Sequence, residues 1–238
     1  MAAGFACVIL DESISAPLKP QLTAPALASI AAACTVQLNR HLSPYYGGAY
    51  SVRVGANAAD VQPGELVFAI VDSLPDAPGA EAYHDLTGTD APDAFLALNT
   101  CTSLDDVSTG ISHELCESAG DPGCNRWVDD MAGTERALEL CDAVQANSYK
   151  EGTIALSDFV LPAFFEGAAA PGPYSFCQAT SEGSTNVPAG PFETTGGGYQ
   201  LQRSSGTGET QVTGELGIRK DKSKHWSSRA YTRGLRAK

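Results

Sequence analysis

The sequence contains no CxxC pair and no zinc-finger spacing among its seven cysteines, at 7, 34, 101, 116, 124, 141 and 177. That excludes a thiolate-clamped zinc module and a paired redox dithiol. The number is odd, and a chain of 238 residues is too large to need a disulfide scaffold, so reduced thiols in a cytoplasm are expected. No basic region precedes the short apolar stretch Phe5–Leu10, and Asp11 and Glu12 follow it at once. A secretory signal is therefore not expected. No apolar run approaches the roughly 18 residues of a membrane span. Gly196, Gly197 and Gly198 lack a following Lys-Ser or helical pattern, which excludes a phosphate loop. There is no internal repeat. Histidine is scarce, with four in the chain.

What is present suits a buried core: 43% of residues are apolar and 18% charged. The large apolar residues crowd into the first two thirds, and after about Ala168 the composition turns to Gly, Ser, Thr and Pro, poor core material. The expected organisation is a globular domain over 1–167, an arm over 168–217 and a basic tail over 218–238. The net charge of −13 hides an asymmetry. Eight of the fifteen Lys and Arg lie in 218–238 against a single acid, Asp221, leaving seven basic against twenty-seven acidic residues, or −20, in 1–217. The acidic body repels nucleic acid, so only the tail could bind it. There Arg219, Lys220, Lys222, Lys224, Arg229, Arg233 and Arg236 interleave with Trp226 and Tyr231, a mixture that stacks on bases or anchors in a protein groove as well as it serves a solvated tail.

Periodicity gives a coarse order of elements. Phe5–Leu10 reads as a buried strand. From Leu22 to about His41, Leu27, Ile30, Ala31, Cys34 and Leu38 recur at three and four, which predicts a helix packed on a sheet. Tyr50–Val54 alternates as a half-exposed strand, and Glu65–Val71 is a more buried one. Ala94–Leu98 reads equally as strand or short helix. Ser103–Ala119 is the next helix, with Asp105 or Asp106 as a cap and Val107, Ile111 and Leu115 on its inner face; Asp121-Pro122 stops it. A turn is expected at Lys150–Gly152 between the apolar runs Ala137–Ala143 and Ile154–Phe165. Tyr199–Arg203 and Glu209–Thr213 flank Ser204–Gly208 as a β-hairpin at the end of the arm.

The helix at 103–119 carries Ser112-His113-Glu114-Leu115-Cys116-Glu117. Residues 113 and 117 are separated by about 40° around a helix, so both side chains leave one face a turn apart. An imidazole and a carboxylate so placed can share a cation at roughly 2.0–2.2 Å. Glu114 points about a quarter turn away, where it can act on a metal-bound water. With four His and thirteen Glu, the pattern H-E-x-x-E arises by chance in roughly one chain in a hundred of this composition. The competing reading is a solvated helical face. The interleaved Val107, Ile111 and Leu115 argue for at least half burial instead. His41 and His84 have no spaced partners and read as structural histidines. Ser112, beside His113 on a helix, points away from it and forms no nucleophile pair.

The order strand, helix, strands, then a helix with His113-Glu114-x-x-Glu117-x-x-Gly120 resembles the zincins, the metzincin branch in particular, over about residues 5–125. That likeness implies an α/β (α+β) fold, a zincin-like mixed sheet with packed helices, extended here by a C-terminal arm with its hairpin. It also implies a metallopeptidase centre with His113 and Glu117 as ligands and Glu114 as catalytic base. The chain departs from the family pattern at Glu117, where zincins have His, and at Gly123, where metzincins have their third histidine. Both departures weigh against hydrolysis. Ser112–Glu117, Gly120-Asp121-Pro122, Glu139-Leu140-Cys141-Asp142 and Ser157–Pro162 are also similar to proteins encoded by tailed phages and prophages, over most of 80–166. That second likeness implies a place in a virion: a capsid- or tail-associated structural protein, made in a host cytoplasm, with other virion proteins or copies of itself as partners through the arm.

A third metal ligand has three candidates, Asp142 first, then Glu139 and Asp121. One neutral imidazole and two carboxylates cancel a divalent charge, which makes the ion a weaker Lewis acid than a three-histidine zinc. Zinc is the first expectation, and the oxygen-rich set admits calcium or manganese.

Overall fold

A computed structural model describes residues 4–75, 78, 80–86, 92–167, 170–180, 185–204 and 209–214. The basic tail and its nine candidate binding residues from Arg219 to Arg236 lie outside the described residues. The chain is mixed α/β and divides into two compact units. Among the described residues, the first comprises 4–123 with 150–156, and the second 124–149 with 157–214.

The first unit is built on a five-stranded sheet in the order β2-β1-β3-β5-β4. β1 (Ala6–Asp11) is apolar from Ala6 to Leu10 because it lies between two parallel neighbours, β2 (Ser51–Gly55) and β3 (Leu66–Val71). β5 (Pro92–Ala97) continues the parallel set beside β3, which settles Ala94–Leu98 mainly as strand. β4 (Ala82–Leu86) closes the edge antiparallel to β5. α1 (Ala24–Val36) starts where the Thr23 hydroxyl accepts from Ala26 N at 3.3 Å and buries Leu27, Ile30, Ala31 and Cys34. The expected helix to His41 continues as a π-helical turn over Gln37–Leu42. Inside it Asn39 exchanges two hydrogen bonds with the Tyr50 backbone, fixing the approach to β2. α2 (Ser43–Tyr46) is a single turn ended by Gly47.

α3 (Leu104–Gly120) is the element that positions the site. Its cap is Ser103, whose hydroxyl accepts from Asp106 N at 3.1 Å; Asp105 and Asp106, the expected caps, instead occupy the first turn. Carboxylates there face the positive end of the helix dipole, and that of Asp106 also reaches back to accept from Thr102 N at 2.8 Å, so it completes the cap from the other side. Val107, Ile111 and Leu115 are fully buried, as their spacing predicts. The helix packs on β4 and β5. Close approach depends on Gly110, where a Cβ would come 2.6 Å from Leu96 Cδ1.

The second unit holds an antiparallel sheet of β6 (Trp127–Asp129), β7 (Thr134–Ala137), β10 (Tyr199–Ser204) and β11 (Thr210–Thr213) in the order β11-β10-β7-β6. The expected hairpin therefore exists as β10 and β11. Through β7 it is an integral part of a sheet rather than the end of a free arm. Arg203 lies 4.2 Å from the Trp127 ring and 2.6 Å from Glu135, a half-buried clasp across three strands. Phe159 and Phe164 are core, and Phe159 stacks on Phe176 of α4 (Phe176–Thr180). β8 (Ser148–Glu151) and β9 (Ile154–Ser157) form a hairpin turning at Gly152, where φ is +60°. Among the described residues no helix is long and apolar enough to cross a membrane.

Candidate metal centre

The site begins with a strand that periodicity did not single out. In β4, His84 lies opposite Ala94 of β5, and Ala82 opposite Leu96, so these four side chains share the sheet face on which α3 packs. Tyr83 and Phe95 take the other face, their rings 5.1 Å apart. His84 is buried on the face toward α3 and meets the helix. Glu114 and Glu117 come down from α3 to meet it. His84 Nδ1 is 3.1 Å from Glu114 Oε2 and 3.5 Å from Glu117 Oε2. The other oxygen of Glu117, Oε1, is 3.1 Å from His113 Nε2.

Burial defines the electrostatics. His84, Glu114 and Glu117 are only 1%, 5% and 4% exposed. Two carboxylates out of water must be neutralised by protons or by cations. Their environments drive them apart. Burial pushes the Glu114 carboxyl up, the neighbouring Glu117 charge adds to that, and His84 and His113 only partly oppose it. For Glu117 burial acts in the same upward direction, but His113 and His84 together more than reverse it and hold this carboxyl well below its ordinary range.

His84, Glu114 and Glu117 each offer one ligand atom, all within 4.8 Å of one another, and the group could hold a metal ion. Ligand atoms about 2.0–2.2 Å from a tetrahedral ion are separated by about 3.3–3.6 Å. The two His84 distances, 3.1 and 3.5 Å, lie close to such edges. The donor set, one imidazole and two carboxylates, is one that zinc and manganese both accept.

The sequence reading placed His113, Glu114 and Glu117 on one helix, and the structure brings all three together. It corrects the reading of His84, which is no isolated structural histidine but the strand's contribution to the cluster. No apolar alternation in Ala82–Leu86 signals this, since His84 shares its face with Ala82 and Leu86 while Tyr83 and Asp85 take the other. Glu114, expected to stand off as a base, is within the ligand group itself. Asp121 forms the C-cap of α3, its N–H donating to the Glu117 carbonyl at 2.7 Å. Glu139 and Asp142 are buried and belong to the second unit, Asp142 at the start of a 3-10 turn over Asp142–Val144.

Comparison of the chain with protein-family models, with curated proteins and with solved structures finds no match.

Proposed function

We propose that this chain is a divalent-metal protein in which the ion staples β4 to α3 inside a zincin-like body, and that this body is a structural component of a phage particle. The observation that carries the metal reading is the convergence of His84, Glu114 and Glu117, from two elements, in a buried site. A divalent ion neutralises the two carboxylates, and zinc is the first expectation, with manganese or calcium as alternatives. The zincin-like reading is supported by the succession strand, helix, strands, helix, with the H-E-x-x-E pattern on the last. Burial supports a stapling role over a hydrolytic one, because a catalytic ion needs an open position for water and substrate. The particle reading is supported by the likeness of Ser112–Glu117, Gly120–Pro122, Glu139–Asp142 and Ser157–Pro162 to phage proteins. Under it, the basic tail, from Arg219 onward, binds neighbouring virion proteins or nucleic acid.

One observation favours a second reading, a metal-dependent peptidase. Paired carboxylates whose proton affinities are driven in opposite directions are a feature of acid–base centres. In that reading Glu114 takes the proton of the attacking water.

Elemental analysis of the purified full chain beside His84→Ala and Glu117→Ala tests the metal reading. Stoichiometric metal in the wild type and its loss from both variants is the expected result, and equal metal content in all three removes it. Removing 218–238 should impair particle assembly and leave metal content unchanged. Peptide hydrolysis by the wild type that disappears in Glu114→Gln would replace the stapling role with the peptidase.

A further inference from the structure

We infer that His113 is not a ligand of the ion but a positioning residue for it, and that the ligand atoms are His84 Nδ1, Glu114 Oε2 and Glu117 Oε2. This assignment rests on the metal reading above and sharpens it. At about 100° per residue, Glu114 is about 100° around α3 from His113, and Glu117 is about 40° from it on the same side. Glu117 therefore stands between the other two, and its oxygens are approached from opposite sides. Oε2 faces His84, 3.5 Å away, on the side where Glu114 also meets His84 at 3.1 Å. Oε1 faces His113 Nε2 at 3.1 Å. An ion between His84, Glu114 and Glu117 thus has the Glu117 carboxylate between itself and His113. The side-chain exposures agree: 13% for His113, against 1%, 6% and 5% for His84, Glu114 and Glu117.

One divalent ion among His84, Glu114 and Glu117 is matched in charge by the two carboxylates. The His113 Nε2–H then donates to Glu117 Oε1 and turns Oε2 toward His84, the relation in which an outer hydrogen bond orients a metal-binding carboxylate.

Cobalt(II) binding to the metal-stripped full chain tests this, because its visible d–d bands report the ligand set and their growth reports affinity. The wild type should bind a single Co²⁺ per chain. His113→Gln keeps a donor toward Glu117 and should retain the same band positions and stoichiometry, with affinity lowered by about tenfold, and His113→Ala by about a hundredfold, the range for losing an outer partner. His84→Leu, which keeps the edge of the sheet apolar and packed, should bind none; circular dichroism of the stripped protein reports whether it is folded. Should that variant not fold, the His113→Gln spectrum still decides. Bands that shift or vanish in His113→Gln make His113 a ligand and overturn the assignment, with the metal reading intact. A second equivalent of Co²⁺ in the wild type, lost in His113→Gln, overturns it as well. No bands in the wild type would remove the metal reading itself.

Discussion

The two buried glutamates should respond to the same neutral replacement with opposite signs once metal is stripped away. Glu117 lies between His84 and His113, whose pull exceeds the burial effect and keeps it ionised. Glu117→Gln removes the negative charge between two imidazoles, and breaking a buried ion pair from one side costs about 3–5 kcal/mol. The Gln carbonyl still accepts a hydrogen bond, so the lower end, about 3 kcal/mol, is expected. At about 2–4 °C per kcal/mol for a chain of this size, Tm should fall by roughly 6–12 °C. Glu114 is the reverse case, because burial and the Glu117 charge both disfavour its ionised form. A carboxyl whose folded-state proton affinity is raised weakens the fold once pH exceeds its unfolded value of about 4.3. Glu114→Gln should therefore leave stability at pH 7 unchanged or slightly higher. The depressed Glu117 contributes stability above about pH 4.3 that is lost as pH falls through its folded value. Glu117→Gln should accordingly flatten the acid limb of the metal-free protein. Thermal melts by far-UV circular dichroism, in chelator at pH 7 and across the acid range, measure all of this. Equal losses from both substitutions, or a larger loss from Glu114→Gln, would refute the electrostatic reasoning.

Three further outcomes follow from the geometry. Adding zinc at a hundred times its Kd should stabilise the stripped wild type by about 2.7 kcal/mol, roughly 5–11 °C in Tm, and should leave His84→Leu unmoved; differential scanning calorimetry reads both. Asp72 accepts hydrogen bonds from the N–H groups of Ile14, Ser15 and Ala16 and from the Ser15 hydroxyl, which lowers its carboxyl to about 2. Its contribution is complete above the unfolded value near 4 and lost as pH drops toward about 2, so Asp72→Ala should accelerate amide exchange at 14–16 at pH 7 and make no difference below its titration. At Gly198 an added Cβ would collide with the Ala143 carbonyl. Gly198→Ala should therefore cost the second unit about 1–3 kcal/mol in urea denaturation, an effect absent at the open turn glycine Gly133, where a change is expected to cost only its backbone strain at φ +90°.

Elements with strong periodicity are legible in the sequence. β1, β2 and β3 fall within a residue or so of the expected strands, and α3 differs from the expected 103–119 by a residue at each end. Their apolar residues recur on one face or fill both, so burial and pattern agree. What escaped was short and polar. β4 has Tyr83, His84 and Asp85 at its centre, and no apolar run marks it as a strand; its place is set by pairing with β5, a tertiary fact. The apolar runs Ala137–Ala143 and Ile154–Phe165 each broke into a strand end and a 3-10 turn, because composition alone does not tell a buried turn from a strand. The candidate site was half legible for the same reason. The helix contributes His113, Glu114 and Glu117 at fixed spacing, whereas His84 arrives from thirty residues upstream, a distance over which no local pattern operates.

The edge position of β4 makes it a reporter. Among the described residues the strand pairs with β5 alone in its sheet, so local opening requires parting only one seam. A cation joining its central imidazole to α3 would add a second attachment on the orthogonal side. Deuterium uptake at Tyr83 and Asp85 should then slow on loading with metal while β1, enclosed by neighbours on both flanks, stays at its former rate, and the ratio of the two would follow occupancy without any chromophore.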